Sequence, residues 1–160
     1  MTDLQNDLPT TGRFVGRAHR FAVRVYFEDT DFSGVVYHAN YLRFMERARS
    51  DMLRVAGIDQ RDAFATGDGV YAVADLSIRY RRPAHFDDAL VIISTVAAVR
   101  AAACIIDQRI ERDGVCIAEA RVTAAYITPD GRPKRQPKAW IDAFTRLLPD
   151  PLVQEETDIA

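Results

Sequence analysis

Apolar and polar residues change rhythm twice along the chain. Phe21 to Phe27 alternate and carry β-branched Val23 and Val25, which predicts a strand. A loop with Asp31, Ser33 and Gly34 follows. The period then lengthens: Leu42, Met45, Ala48, Met52 and Ala56 recur at steps of three and four. That spacing puts them on one face of a helix from about residues 38–40 to 56, with Tyr41, Phe44 and Val55 widening the stripe. Glu46, Ser50 and Arg54 form a polar row opposite, Arg47 and Asp51 form a favourable pair one turn apart, and Gly57 is placed to stop the helix.

After a short helical stretch near residues 60–66, the two-residue rhythm returns. Ala74, Leu76, Ile78 and Tyr80 alternate with polar neighbours until Pro83 ends the strand. Residues 89–99 form a long apolar run. Residues 103–112 alternate up to the turn signal Asp113-Gly114, and Ala118 to Tyr126 alternate after it. Asp130-Gly131 marks another turn, and residues 138–147 read as a last amphipathic helix.

The result is an α+β chain: one long apolar helix against a curved, largely antiparallel sheet of about five strands. Ala118, Ala120 and Ala124 let the helix lie close. Such a sheet leaves edges, which predicts pairing with a second copy. Residues 1–18, with Pro9, Gly12 and Gly16, read as a flexible arm. Residues 19–148 form a single domain, and 149–160, with Asp150, Glu155, Glu156 and Asp158, form an acidic tail.

Composition narrows the function. The chain has 160 residues, 48% hydrophobic and 28% charged, enough for a packed core. Its net charge of −2 argues against nucleic acid as a partner. No apolar run reaches the roughly 18–20 residues of a membrane span, and the first twelve residues lack the apolar stretch of a secretory signal. Cys104 and Cys116 lie far apart within strand patterns and read as free thiols of a reducing, cytoplasmic protein.

Chemistry concentrates between residues 26 and 42, where Glu28, Asp29, Asp31, His38 and Asn40 meet at a strand-to-helix junction. Open N–H groups at a helix start can hold a developing oxyanion. A carboxylate beside them can attack a carbonyl or activate water. Gly34 supplies a turn geometry other residues resist. The plain alternative is capping and solvation, with Asn40 as an N-cap and His38 as a structural histidine. No metal-ligand spacing, phosphate loop or nucleophile elbow is present.

This segment resembles the hotdog-fold acyl-CoA thioesterases of the 4-hydroxybenzoyl-CoA thioesterase type, and within them the bacterial Tol–Pal-associated acyl-CoA thioesterases. The matching residues are Tyr26, Glu28-Asp29-Thr30-Asp31, Gly34-Val35-Val36-Tyr37-His38, Tyr41 and Glu46-Arg47-Ala48-Arg49. Tyr80, Pro83-Ala84, Asp87-Asp88 and Gln108-Arg109-Ile110 match further on. The likeness covers about residues 20–145.

The resemblance implies a hotdog fold and hydrolysis of an acyl-CoA thioester, without a metal or other cofactor. It puts the catalytic carboxylate on Asp31, as nucleophile or general base, and the carbonyl-polarising amide on His38. Tyr37, Asn40 and Tyr41 would shape the pocket. Coenzyme A phosphates would meet Arg100, Lys134 and Arg135. Because Ala101-Ala102-Ala103 replaces a richer basic pattern, these contacts could move to Arg79, Arg81 or Arg82. Glu46 is expected to pair with Arg49 or across a dimer. The resemblance also implies a homodimer or homotetramer, an acyl carrier protein as alternative thioester carrier, and a cytoplasmic location, peripheral to the inner membrane at most. The rival from another class is a module of the same fold that binds acyl thioesters without turnover. Acyl-chain preference is not readable.

Overall fold

The computed structural model describes residues 7–150. Its strands are β1 (Arg13–Val15), β2 (Ala18–Arg24), β3 (Val70–Tyr80), β4 (Ala89–Val99), β5 (Ala103–Arg112) and β6 (Val115–Ile127). The helices are α1 (His38–Val55), α2 (Gln60–Ala65) and α3 (Lys138–Thr145). All strands join one antiparallel sheet in the order β1-β2-β4-β5-β6-β3, with α1 against one face. This is the expected helix wrapped by a sheet, with six strands rather than five.

The additional strand lies in the predicted arm. Residues 13–15 turn back at Gly16, whose φ of +61° suits glycine, and pair with β2. Three residues are too few to show a period, so the pattern missed them. The hairpin is pinned to α1 by a buried cluster. Gly12 N donates to Asp51 Oδ2 at 2.8 Å, and His19 Nε2 donates to the same oxygen at 2.8 Å. A Cβ on Gly12 would sit 2.5 Å from the Arg20 carbonyl oxygen and 2.7 Å from Asp51. Asp51 therefore serves the hairpin and Arg54, 3.7 Å away, instead of the predicted Arg47. Residues 1–6 of the arm and 151–160 of the acidic tail lie outside the described residues. Asp150 lies 3.9 Å from Arg17.

Two apolar clusters flank α1. Tyr41, Phe44 and Met45 pack with Phe21, Val25, Leu90, Ile92, Ile110 and Ile117. Met52 and Leu53 pack with Ile58, Val96, Ile106 and Phe144. Val55, expected on the apolar stripe, is exposed at the helix end. A buried polar chain links helix to sheet: Arg49 Nη1 donates to Gln108 Oε1 at 2.7 Å, and Gln108 Nε2 donates to Met45 O and Ser94 Oγ. Glu46 pairs with Arg49. Both cysteines are free; burial pushes the Cys104 thiol up to about 12, while Cys116 is only half-buried.

One feature of the topology positions the site. β3 lies at the far edge of the sheet, so the 81–88 connector must return across the strand ends to reach β4. Arg81 N and Arg82 N donate to Ile117 O, Arg112 Nη1 donates to Pro83 O, and Val25 N donates to Asp88 O. The connector thus runs from the Tyr80 end of β3 to the end of β2, beside the loop that leads into α1.

Candidate active site

After β2 the chain makes a short helical turn at Phe27–Asp29 and folds back on itself. Asp31 N donates to Val35 O at 2.8 Å, Gly34 N to Asp31 O at 3.0 Å, and Tyr37 N to Asp29 O at 2.9 Å. Gly34 has φ +83°, the left-handed geometry its position predicted. The connector grips this loop from outside. Val36 N donates to Ala84 O at 2.8 Å, and Ala84 N donates to the Tyr41 hydroxyl at 3.0 Å. Tyr41 is therefore a buried brace, not an exposed pocket wall.

Asp31 sits at the tip of this loop, exposed. Its Oδ1 accepts from Ser33 N at 2.8 Å and from the Ser33 hydroxyl. The Ser33 hydroxyl, with the amides of Ser33 and Val35 and the His38 imidazole helping, holds the carboxyl below its ordinary range. Asp31 is thus an ionised carboxylate at neutral pH.

Helix α1 begins at His38 without a side-chain cap. Its N-cap is Tyr37, which makes no capping hydrogen bond. Asn40, a candidate cap by residue type, lies inside the first turn; its Nδ2 donates to Asp29 O at 2.9 Å instead. Two donors, Tyr37 N and Asn40 Nδ2, thus converge on one carbonyl and tie the loop to the helix. The amides of His38 and Ala39 donate to no protein group among the described residues. An uncapped helix start forgoes about 1 kcal/mol and keeps its N–H groups available to an anion. The rings of Tyr37 and His38 lie 4.4 Å apart, both exposed.

Sequence reasoning gave no positional role to Tyr80 and Ala84, the supports of this geometry. Tyr80, the last residue of β3, donates its hydroxyl to His38 O at 2.8 Å, and its ring meets Tyr41 edge-on at 5.5 Å. For Ala84 the sequence signal was the family pattern alone; Tyr80 also stood in the alternating row of its strand.

The expected phosphate-binding residues are elsewhere. Arg100 follows β4, whose other end adjoins the Asp31 loop. Eleven strand residues separate the two ends, about 35 Å at 3.3 Å each. Lys134 lies at the same far end, where its Nζ donates to Asp68 Oδ1 and O at 2.7 Å. Gln136 Nε2, next to Arg135, donates to Arg100 O at 2.8 Å. Within one chain, Arg100, Lys134 and Arg135 are not brought to Asp31. The arginines at its end of the sheet are Arg24, which lies 3.9 Å from Asp87, and Arg79, Arg81, Arg82 and Arg112. Arg81 pairs with Glu119 and Arg112 with Asp88.

Residues 25–148 match the model of the thioesterase-like superfamily. The chain belongs to that superfamily. It is 39% identical to the acyl-CoA thioesterase YbgC of Haemophilus influenzae over 107 residues, 67% of this chain and 79% of that one. It is 36% identical to the acyl-CoA thioester hydrolase YbgC of Escherichia coli O6:H1 over 127 residues, 78% of this chain and 94% of that one. Among solved structures, a probable thioesterase from Bartonella henselae superposes with a TM-score of 0.71 at 38% identity, over 75% of this chain and 99% of that one. The protein is thus a thioester hydrolase of hotdog fold.

Proposed function

We propose that the protein hydrolyses acyl-CoA thioesters, with the Asp31 carboxylate as the reacting acid or base and the open start of α1 as the oxyanion site. The observation that carries this reading is the juxtaposition of an ionised Asp31 with the unpaired His38 amide at an uncapped helix start. As nucleophile, a carboxylate oxygen of Asp31 bonds to the thioester carbon. The C–S bond then breaks, the thiolate leaves and takes a proton, and water cleaves the resulting anhydride. As general base, Asp31 takes the proton of a water that attacks the same carbon; the C–S bond then breaks and the thiolate leaves, taking that proton. In both, negative charge gathers on the carbonyl oxygen facing the His38 N–H, where one donor contributes about 10²–10³ in rate.

The working unit in this reading contains a second copy. Phe27, Phe32, Tyr37, Tyr80 and Phe86 are exposed around Asp31, and β3 beside them presents an edge unpaired among the described residues. Covering this surface would exclude water from the site. Arg79 and Arg82 are then the same-chain candidates for the coenzyme A phosphates. Arg100, Lys134 and Arg135 serve only if the second copy brings them to this end. An acyl carrier protein would present the same thioester with a protein surface in place of the nucleotide.

The test is thiol release from short, long and aromatic acyl-CoAs by wild type and Asp31→Asn. The variant keeps the Oδ1 acceptor for Ser33 and loses the charge. The expected result is wild-type hydrolysis and a loss of at least about 10²–10⁴-fold in the folded variant. Near-normal turnover by Asp31→Asn removes Asp31 from the mechanism. Binding without release of thiol, from coenzyme A and acyl carrier protein alike, identifies a binding module.

A further inference from the structure

Resting on the reading above, we propose that Tyr80 is a positioning residue whose hydroxyl fixes and polarises the His38–Ala39 peptide, making the Ala39 N–H a second oxyanion donor. In a helix the carbonyl of residue 38 points toward the C-terminus, and the N–H of residue 39, in the same peptide plane, points toward the open N-terminus. Tyr80 donates to the carbonyl end of this unit at 2.8 Å. The N–H end has no protein partner among the described residues. A donor on the carbonyl draws electron density from the amide and strengthens its N–H as a donor in turn. The hydroxyl thereby acts on an oxygen it never touches.

The placement of Tyr80 suits this role. Helix α1 has no side-chain cap to fix its first turn. The Asp31 loop is tied to that turn through Asp29 O, which receives Tyr37 N and Asn40 Nδ2. Tyr80 arrives from the opposite direction, from the last residue of the edge strand. Its ring is set by the edge-on contact with Tyr41, whose own hydroxyl is held by Ala84 N. Two independent supports therefore converge on one helical turn. One sets the carboxylate relative to the helix, and the other sets the peptide. Removing the Tyr80 hydroxyl leaves the Ser33–Asp31 contacts in place.

These relations give a signature that a merely structural tyrosine lacks. Oxyanion donors act more strongly in the transition state than on the bound substrate, so their loss lowers kcat and spares KM. The experiment measures wild type and Tyr80→Phe with the acyl-CoA the wild type hydrolyses best. It follows the pH profile of kcat/KM and the 15N–1H resonance of the Ala39 amide. The expected result is a fall in kcat of about three- to tenfold, the rate equivalent of one hydrogen bond, with KM within twofold. The acid limb set by Asp31 stays where it was, and the Ala39 amide resonance moves. The proposal is overturned by an unchanged kcat, by a rise in KM with kcat intact, which would make Tyr80 a substrate contact, or by an Ala39 resonance that does not move.

Should Tyr80→Phe fail to fold, 3-fluorotyrosine at position 80 keeps the shape and strengthens the donor. It should raise kcat and shift the Ala39 resonance; wild-type values of both overturn the proposal. Wild-type activity is read first and reports on the thioesterase reading alone. If no thioester is cleaved, that reading fails, and the second-donor proposal fails with it whatever the Ala39 resonance does.

Discussion

Replacing Asp51 with alanine should release the N-terminal hairpin from α1, and the structure sets the size of the effect. Asp51 is 3% exposed, and its Oδ2 accepts from Gly12 N and from His19 Nε2, both at 2.8 Å. His19 is fully buried, and its Nδ1 has no partner among the described residues. Leaving a buried donor unsatisfied costs about 1–3 kcal/mol, which applies to His19; the half-buried Gly12 N–H adds about 1 kcal/mol, for a total of about 2–4 kcal/mol. The Arg54 contact adds little, because that side chain is largely exposed. For a chain of this size the loss corresponds to a drop in Tm of about 4–16 °C.

The same cluster dictates a pH dependence. Burial lowers the His19 pKa, and the Asp51 hydrogen bond and charge only partly oppose it. The unfolded chain therefore takes up a proton near pH 6.5 that the folded chain resists. The His19 contribution is complete above that pH and is lost as pH falls toward the lowered folded-state pKa. The assay is urea unfolding at pH 7.5 and 5.5 at fixed protomer concentration. Fluorescence of Trp140, the chain's single tryptophan, packed 5.9 Å from Tyr71, is the probe. Wild type should be less stable at pH 5.5. Asp51 is thirteen residues along α1 from His38, about 20 Å, so thiol release by the folded variant at pH 7.5 should stay within twofold of wild type. A stability loss below about 1 kcal/mol at pH 7.5, or a wild type equally stable at both pH values, refutes the reasoning.

Two further outcomes concern the site. Because Ser33 holds the Asp31 carboxyl below its ordinary range, kcat/KM should stay flat on acidification and fall only below about pH 3.9. Ser33→Ala should move that limb upward, read in pH-jump assays short enough to precede unfolding. Asn40→Ala removes one of the two donors on Asp29 O and should cost about 1 kcal/mol of stability together with a severalfold fall in kcat. Denaturation and thiol release on one sample check both.

The sequence alone determined the secondary elements and the chemistry-bearing loop. The three-and-four spacing from Leu42 to Met52 gave α1, and alternation gave three of the four strands of the second half, because burial on one face imposes those periods; a continuous apolar run marked the fourth, residues 89–99. The residue types from Glu28 to His38 pointed to a carboxylate beside a helix start, since turn and helix geometry are local, and the family resemblance singled out Asp31 among the three acids. β1 escaped because three residues carry no period and Asp51, which holds the hairpin through Gly12 and His19, is distant in sequence. Asn40 reads as a cap by residue type, but whether its side chain reaches an amide or the Asp29 carbonyl depends on where the loop returns. Arg100, Lys134 and Arg135 read as substrate contacts, yet strand direction places them a full strand length from Asp31. Tyr80 reaches His38 only because β3 crosses to the far edge and ends where α1 begins. Only the tertiary structure decides such pairings, because strand order and direction are settled by packing between segments that share no local pattern.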